Sequence, residues 1–286
     1  PFVGYLARGL TRQKHRPAIL ARGYRARTRG GSNDELEMLA DQLPDVLTVA
    51  NPNRLAACMR AAEEGADVAV LDDGFQHYAL QRDLDVLLID ATHPFGTGRL
   101  LPRGTLREPA ENAARADLVV LTRVALAGLS QVGELRTWLR RLQPEMPVVE
   151  CCFRPKALRP LGDAAEETLP PEALSGRKIG AFAGLAQPRG FGQTLRSVGA
   201  EVVYSRRFPD HHRYSARDIA AVVEGAASAG AEMLVTTEKD AVKLEELPAP
   251  DSGMPLHCLC IETEIDAGED LLWLTVGKAI ADFKRD

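Results

Sequence analysis

The densest chemistry in the sequence lies in residues 68–80, Val-Ala-Val-Leu-Asp-Asp-Gly-Phe-Gln-His-Tyr-Ala-Leu. Val68 to Leu71 form a continuous apolar run, which predicts a parallel strand buried on both faces. Asp72 and Asp73 follow at once, and Gly74 then allows a sharp turn. Ligands of open α/β sheets bind beyond the carboxyl ends of the strands, where these two carboxylates would sit. An apolar run closed by Asp is also the pattern with which nucleotide-handling enzymes hold Mg²⁺. One such Asp reads equally well as the cap of a following helix. Two in a row, followed by Phe75, Gln76 and His77, fit a catalytic strand end better.

The surrounding sequence supplies elements to position that end. Apolar periodicity predicts helices over 2–14, 34–40, 52–62 and 131–142, and strands at 17–21, 46–50, 67–72, 85–90, 117–124 and 147–153. A second series follows, with strands at 178–183, 201–207, 233–237 and 256–264 and helices at 189–198, 216–229, from about 239, and 271–283. Strands alternating with helices call for an α/β fold with a parallel sheet covered on both faces. Residues 155–171 are rich in Pro, Ala and acids. They place a domain boundary near 155, between a larger domain 1–154 and a smaller α/β domain 155–286.

Composition narrows the function classes. The 286 residues are 45% hydrophobic and 26% charged with a net charge of −5, so nothing global suggests nucleic acid. No apolar run reaches the length of a membrane span. The five cysteines form no disulfide framework and read as reduced thiols. His257-Cys258-Leu259-Cys260 has two thiols and an imidazole, but no second ligand cluster accompanies it, which argues against zinc. Arg22-Gly23-Tyr24 opens a basic loop with Arg25, Arg27 and Arg29. It reads as a solvated loop or as a cradle for phosphate, since Arg forks match phosphate oxygens.

Several constellations stand in one order: Arg22-Gly23-Tyr24, Asp34-Glu35, Asp72-Asp73-Gly74-Phe75-Gln76-His77, Leu106-Arg107-Glu108-Pro109, Phe208-Pro209-Asp210-His211-His212, and Thr237-Glu238-Lys239-Asp240-Ala241-Val242-Lys243-Leu244. Taken alone, the last reads as a capped helix start. Together they resemble the tetraacyldisaccharide 4′-kinase (lipid A 4′-kinase) family from residue 1 to the end. The family usually has Ser where Ala21 stands, and Gly and Pro where Asn33 and Leu36 stand. The resemblance implies a P-loop-type parallel-sheet domain and a smaller α/β domain joined by a two-stranded linker, for which strands 147–153 and 256–264 are the candidates. It implies transfer of the ATP γ-phosphate to a hydroxyl of a lipid A disaccharide precursor at the cytoplasmic face of the inner membrane, with ATP and Mg²⁺ as cofactors. By the same resemblance Asp72 holds the metal, and Asp73 and His77 shape the phosphoryl-transfer site with Glu108 near it. Asp34 is then the base, partnered by His211 from the other domain, and Arg22, Arg25, Arg103 and Arg107 meet anionic groups of the lipid. A nucleotide switch or metallochaperone of the same architecture is the rival, but strand 117–121 leads to Leu-Thr-Arg-Val and not to a guanine-reading Asn-Lys-x-Asp.

No Gly-x-x-x-x-Gly-Lys-Ser/Thr occurs among the 286 residues. In the family that loop directly precedes the residue matching Pro1, behind an apolar segment that contacts the membrane. The chain opens at Pro1 on an amphipathic pattern, Phe2, Val3, Leu6 and Leu10, so it is expected to start at a helix, without loop or anchor, as a soluble and inactive piece. Backbone N–H groups and the lysine of that loop supply most contacts to the transferred phosphate. Calorimetric titration of these 286 residues with Mg-ATP is therefore expected to show no tight site, and robust turnover would overturn the expectation.

Overall fold

The computed structural model describes residues 1–23, 34–162, 167–184, 188–210, 212–244, 247 and 253–283, without the side chains of Asp34, Pro188 and Arg189. Two compact units emerge, one of residues 1–20, 53–153 and 263–286, the other of residues 21–52 and 154–262. The chain passes to the second unit after residue 20 and returns after residue 52, then passes again inside strand β6 (Val148–Pro160) and back inside β10 (Leu256–Ala267).

In the first unit every residue of β5 (Leu118–Thr122) is buried. Leu118 and Val120 enter one core with Phe2, Leu10, Val149, Leu272 and Val276, while Val119 and Leu121 enter another with Ile89, Leu135, Leu139 and Met146. Successive side chains of a strand point to opposite faces, so one apolar run feeds both cores. β5 lies between β4 (Val86–Asp90) and β6, parallel to both. Helices α1 (Phe2–Arg12) and α9 (Glu269–Phe283) cover one face, and α5 (Leu129–Leu142), entered through the short α4 (Val124–Ala127), covers the other. Each buried Leu or Val contributes about 1.5–3 kcal/mol by leaving water.

The same unit holds a parallel pair, β1 (Pro17–Ala21) with β3 (Val68–Leu71), in register from Pro17 opposite Val68 to Leu20 opposite Leu71. The sequence predicts a β3 buried on both faces. Instead it is half-exposed throughout, with Ala69 open to solvent. It pairs with β1 on one side, and its other long side has no strand neighbour among the described residues. Helix α3 (Arg54–Glu63) starts at Asn53, whose side chain accepts from Ala56 N at 3.1 Å.

The second unit carries α2 (Asp34–Gln42), β2 (Leu47–Ala50) and a parallel array β10–β9–β7–β8, with β7 (Lys178–Ala183), β8 (Glu201–Arg207) and β9 (Met233–Thr237). Ile179, Ala181, Met233 and Val235 pack with Leu195 of α6 (Pro188–Ser197). Phe182 and Leu234 pack with Ile219, Val222 and Ala226 of α7 (Ala216–Ser228) and Leu244 of α8 (Glu238–Leu244). The α/β alternation expected from sequence is present. β6 runs on to Pro160, past its expected end near 153, because Arg154 and Lys156 keep the strand period and Leu158 is buried and pairs with Leu169 through bonds of 2.8 and 2.9 Å. Among the described residues no helix is long and apolar enough to cross a membrane.

Helices α1 and α9 approach closely at one glycine. A Cβ built on Gly9 would lie 1.9 Å from the Trp273 ring, whereas one built on Gly277 of α9 meets nothing within 4 Å. Gly9→Ala is therefore expected to destabilise by about 1–3 kcal/mol through overpacking. Gly277→Ala is expected to stabilise by roughly 0.5–1 kcal/mol through helix propensity. Urea midpoints of the two variants check the pair, and a neutral Gly9→Ala would show that the helices do not pack through this contact.

Candidate active site

β3 continues by one rung past Leu71: Asp72 N–H donates to Leu20 O at 2.9 Å. The Asp72 carbonyl accepts from Arg54 Nη2 at 2.8 Å. Arg54 is buried in the first turn of α3, where a cation opposes the helix dipole. The bond to the strand end offsets that cost and fixes where Asp72 stands. Asp73 then adopts φ 52°, left-handed backbone that Asp tolerates better than most residues. At Gly74 a Cβ would fall 2.8 Å from Leu71 Cβ, so the turn needs glycine. Residues 72–85 form turns and no helix, which removes the helix-cap reading of the two aspartates.

The turn rests on Glu108. Arg115 grips its carboxylate with both nitrogens, Nη1 to Oε2 at 2.6 Å and Nη2 to Oε1 at 2.8 Å. Gln76 Nε2, Tyr78 OH and Asn112 Nδ2 donate to the same carboxylate at 2.9, 2.9 and 2.8 Å. Arg115 also lies 4.0 Å over the Phe75 ring and donates to Phe75 O at 3.2 Å. The Arg115 hydrogen bonds, joined by those of Asn112, Gln76 and Tyr78, outweigh desolvation and hold the Glu108 carboxyl far below the usual range. Beside this fixed group stands a looser one. Arg107 Nη1 reaches Asp73 Oδ2 at 3.0 Å and Gln76 Oε1 at 3.3 Å, but the Arg107 and Asp73 side chains are 60% and 70% exposed. Such a pair is worth little in water and yields readily to a ligand.

Asp73, Arg107 and Glu108 are thus linked through Gln76 in one cluster of the first unit, with Asp72 and His77 on the same turn. His77 is held through its backbone: its N–H donates to Gly74 O at 2.9 Å, and its carbonyl accepts from Arg82 Nη1 at 2.5 Å. Arg103 is exposed on the loop that leads to Arg107. At the end of β4, Asp90 accepts from Thr92 Oγ1 at 2.6 Å and from Arg123 Nη1 at 2.7 Å, so the Leu-Thr-Arg-Val stretch closes a strand end. Arg22 is exposed after β1, and Asp34 begins α2, both in the second unit. Arg25, His211 and the Asp34 side chain lie outside the described residues.

The family sequence model described as tetraacyldisaccharide-1-P 4′-kinase matches residues 1–276. The chain belongs to that family. A tetraacyldisaccharide 4′-kinase of Anaeromyxobacter dehalogenans (strain 2CP-C) is 43% identical over 283 residues, covering 93% of this chain and 74% of that protein. One from Syntrophus aciditrophicus (strain SB) is 37% identical over 93% of this chain and 76% of its own length. A crystal structure of LpxK from Aquifex aeolicus in complex with ATP superposes with a TM-score of 0.68 at 29% identity, covering 98% of this chain and 83% of that one. The fold is accordingly that of a P-loop kinase.

In this kinase chain the second unit has a cluster that the sequence shows only in part. Lys239 Nζ lies 3.0 Å from Glu35 Oε1, in the first turn of α2, and 3.1 Å from Asp210 Oδ1. Burial alone would lower the Lys239 pKa, but Glu35 and Asp210 outweigh it and raise the value. Lys239 therefore ties the segment that begins with Asp34 to the one that leads into His211. Gln42 Nε2 to Glu238 Oε1 at 2.7 Å adds a second tie between α2 and α8. Asp240, fully buried, accepts from Gly184 N at 3.0 Å and Thr237 Oγ1 at 2.7 Å. Sequence reasoning missed Arg54, Arg115 and Lys239 as site-builders. An arginine in an apolar first helical turn was a usable signal for Arg54; Arg115 gave none, since its partner is seven residues away across an irregular turn.

The Glu108–Arg115 pair carries a pH signature. A depressed folded pKa gives stability that is fully present above the ordinary glutamate value of about 4.3 and is lost as pH falls through the folded value. Arg115→Met is expected to lower the melting temperature by several degrees at neutral pH, with the gap to wild type shrinking as pH falls below about 4. A gap independent of pH would mean that Arg115 acts through packing on Phe75 alone.

Proposed function

We propose that this chain forms the catalytic body of a tetraacyldisaccharide 4′-kinase, an ATP-dependent enzyme that phosphorylates a lipid A disaccharide on its 4′-hydroxyl. Family membership supports the reaction class, and the carrying observation in the structure is the fixed strand end at Asp72 and Asp73. Its backbone is held from Leu20 and Arg54, and its flank from Glu108. Phosphoryl transfer asks a protein mainly for position and charge. Asp73 and Arg107 supply an exposed anion and cation at that end, and their weak pairing leaves both able to turn to substrate.

Mg²⁺ suits this end. Magnesium keeps several waters and takes one or two protein carboxylates plus phosphate oxygens, so a lone strand-end pair fits it better than a closed cage would. Among the described residues no cluster of three or more metal-binding side chains exists. Asp72 is the proposed ligand, and the ion would spread the charge of the β- and γ-phosphates. Asp34 is the proposed base: it takes the proton of the sugar hydroxyl as the oxygen bonds to the γ-phosphorus and the bond to the β-phosphate oxygen breaks, releasing ADP. His211 is proposed to orient Asp34. Helix α2 belongs to the same unit as residues 154–262, so this pairing, as proposed, needs no closure of one unit on the other. His77 and Glu108 shape the phosphate side, and Arg22, Arg25, Arg103 and Arg107 are proposed contacts for anionic groups of the lipid. The enzyme is proposed to work peripherally at the inner face of a membrane.

The test is transfer of radiolabelled γ-phosphate to a lipid A disaccharide in mixed micelles, by a chain carrying the family phosphate loop ahead of Pro1. Asp72→Asn is expected to remove about two orders of magnitude or more from kcat while leaving the melting temperature within a degree or two. Near-normal turnover of that variant at limiting Mg²⁺ would take Asp72 out of the metal role.

A further inference from the structure

Between β4 and Glu108 runs a 17-residue loop, Ala91–Arg107, with no carboxylate, three arginines and one histidine, in a chain whose net charge is −5. Its tip is Arg99-Leu100-Leu101-Pro102-Arg103. Leu100 is 45% exposed, Leu101 is 62% exposed, and Arg99 and Arg103 are open to solvent on either side. The backbone holds these leucines outward. Leu101 N–H donates to Leu106 O at 2.9 Å, Leu106 N–H to Arg99 O at 3.1 Å, and Arg103 and Gly104 N–H both to Leu100 O at 3.0 Å. Gly104 packs so tightly that a Cβ would lie 2.1 Å from Arg99 O. Exposed leucines elsewhere, such as Leu271 and Leu274 on α9, share their helix with Glu269, Asp270 and Asp282. Glu108, the first acid after the loop, is turned inward on Arg115.

We propose that this Arg99–Arg103 tip docks on an anionic lipid surface, with Leu100 and Leu101 entering the headgroup boundary and Arg99 and Arg103 meeting lipid phosphates. Two adjacent aliphatic side chains flanked by cations are what such a boundary accepts, because apolar burial and attraction to anionic headgroups add. Arg107 at the base of the loop pairs with Asp73, whereas no carboxylate lies beside Arg99 and Arg103 within the loop itself. The chain as a whole is acidic and is repelled by the same surface, so contact is favoured only through basic segments such as this tip. Five residues separate Leu101 from Arg107, which pairs with Asp73. If the acceptor is a lipid, as proposed above, docking here brings the membrane to the edge of the strand-end cluster.

The 286-residue chain is mixed at low salt with vesicles of phosphatidylglycerol and phosphatidylethanolamine lacking any disaccharide, at millimolar lipid, and followed by flotation. Binding is expected, with pure phosphatidylcholine vesicles left unbound and with release as salt rises to about 0.5 M. Each surface arginine is worth about a fivefold change in partitioning. Arg99→Glu with Arg103→Glu should therefore lower binding at least about thirtyfold, and Leu100→Ser with Leu101→Ser should lower it several-fold without changing its salt dependence. All four side chains are exposed, so melting temperatures should stay at the wild-type value. Equal binding of wild type and both variants, or binding only to vesicles that carry the disaccharide, would overturn the docking surface. Neither result depends on phosphoryl transfer, so failure of the kinase assay leaves this one readable.

Discussion

The two-pronged grip of Arg115 on Glu108 is the interaction on which the strand-end cluster depends. A carboxylate with five donors has no freedom left, and every donor comes from a segment that must be placed: Gln76 and Tyr78 from the turn after β3, Asn112 and Arg115 from the stretch before β5. The turn contains a left-handed Asp73 and a glycine that no larger residue can replace without displacing Leu71. Such backbone persists only when its surroundings over-determine it. Glu108 and Arg54 do so from opposite ends, one through side chains and the other through the Asp72 carbonyl. The exposed Arg107–Asp73 pair then sits on a rigid base and can change partners without disturbing it.

Much of this was legible in the sequence because local patterns and tertiary needs agree. β5 reads as a buried strand from its own residues, and the Asp72-Asp73-Gly74 step marks a strand end at a turn, as found. The apolar run of β3 misled in one respect. Composition reports what a strand could bury, whereas burial depends on which neighbours flank it, and β3 stands at the end of its sheet. The side-chain ties were the least visible layer. Glu108 meets Arg115 only because a short 3₁₀ turn over Ala110–Arg115 brings the guanidinium back. Lys239 meets Glu35 across some two hundred residues of chain, and no periodicity encodes that. His211, Arg25 and the Asp34 side chain remain expectations of resemblance.

The two units use charge differently. In the first, the paired groups at the strand end range from nearly enclosed to open, and that gradient separates what holds shape from what can answer a ligand. In the second, Lys239 is largely enclosed between two acids, and breaking either contact would leave a half-buried cation short of a partner. The first tie lets the cluster adapt, while the second favours one arrangement of α2, α8 and the Asp210 segment.

Passage of the chain between units inside β6 and β10 has a consequence for biosynthesis. Residues 154–262 emerge from the ribosome before α9, yet Leu272 and Val276 of α9 are part of the core that Leu118 and Val120 must fill. The first unit cannot close when residue 153 has been made; one face of its sheet is covered by α1 alone until α9 is released. Joining its halves also means closing a loop of about 110 residues, whose entropy cost falls if the intervening chain has already collapsed. Vectorial synthesis therefore favours maturation of the second unit first, since all of it has emerged by residue 262, and the interval before α9 emerges is when the nascent chain is most open to aggregation or to a chaperone.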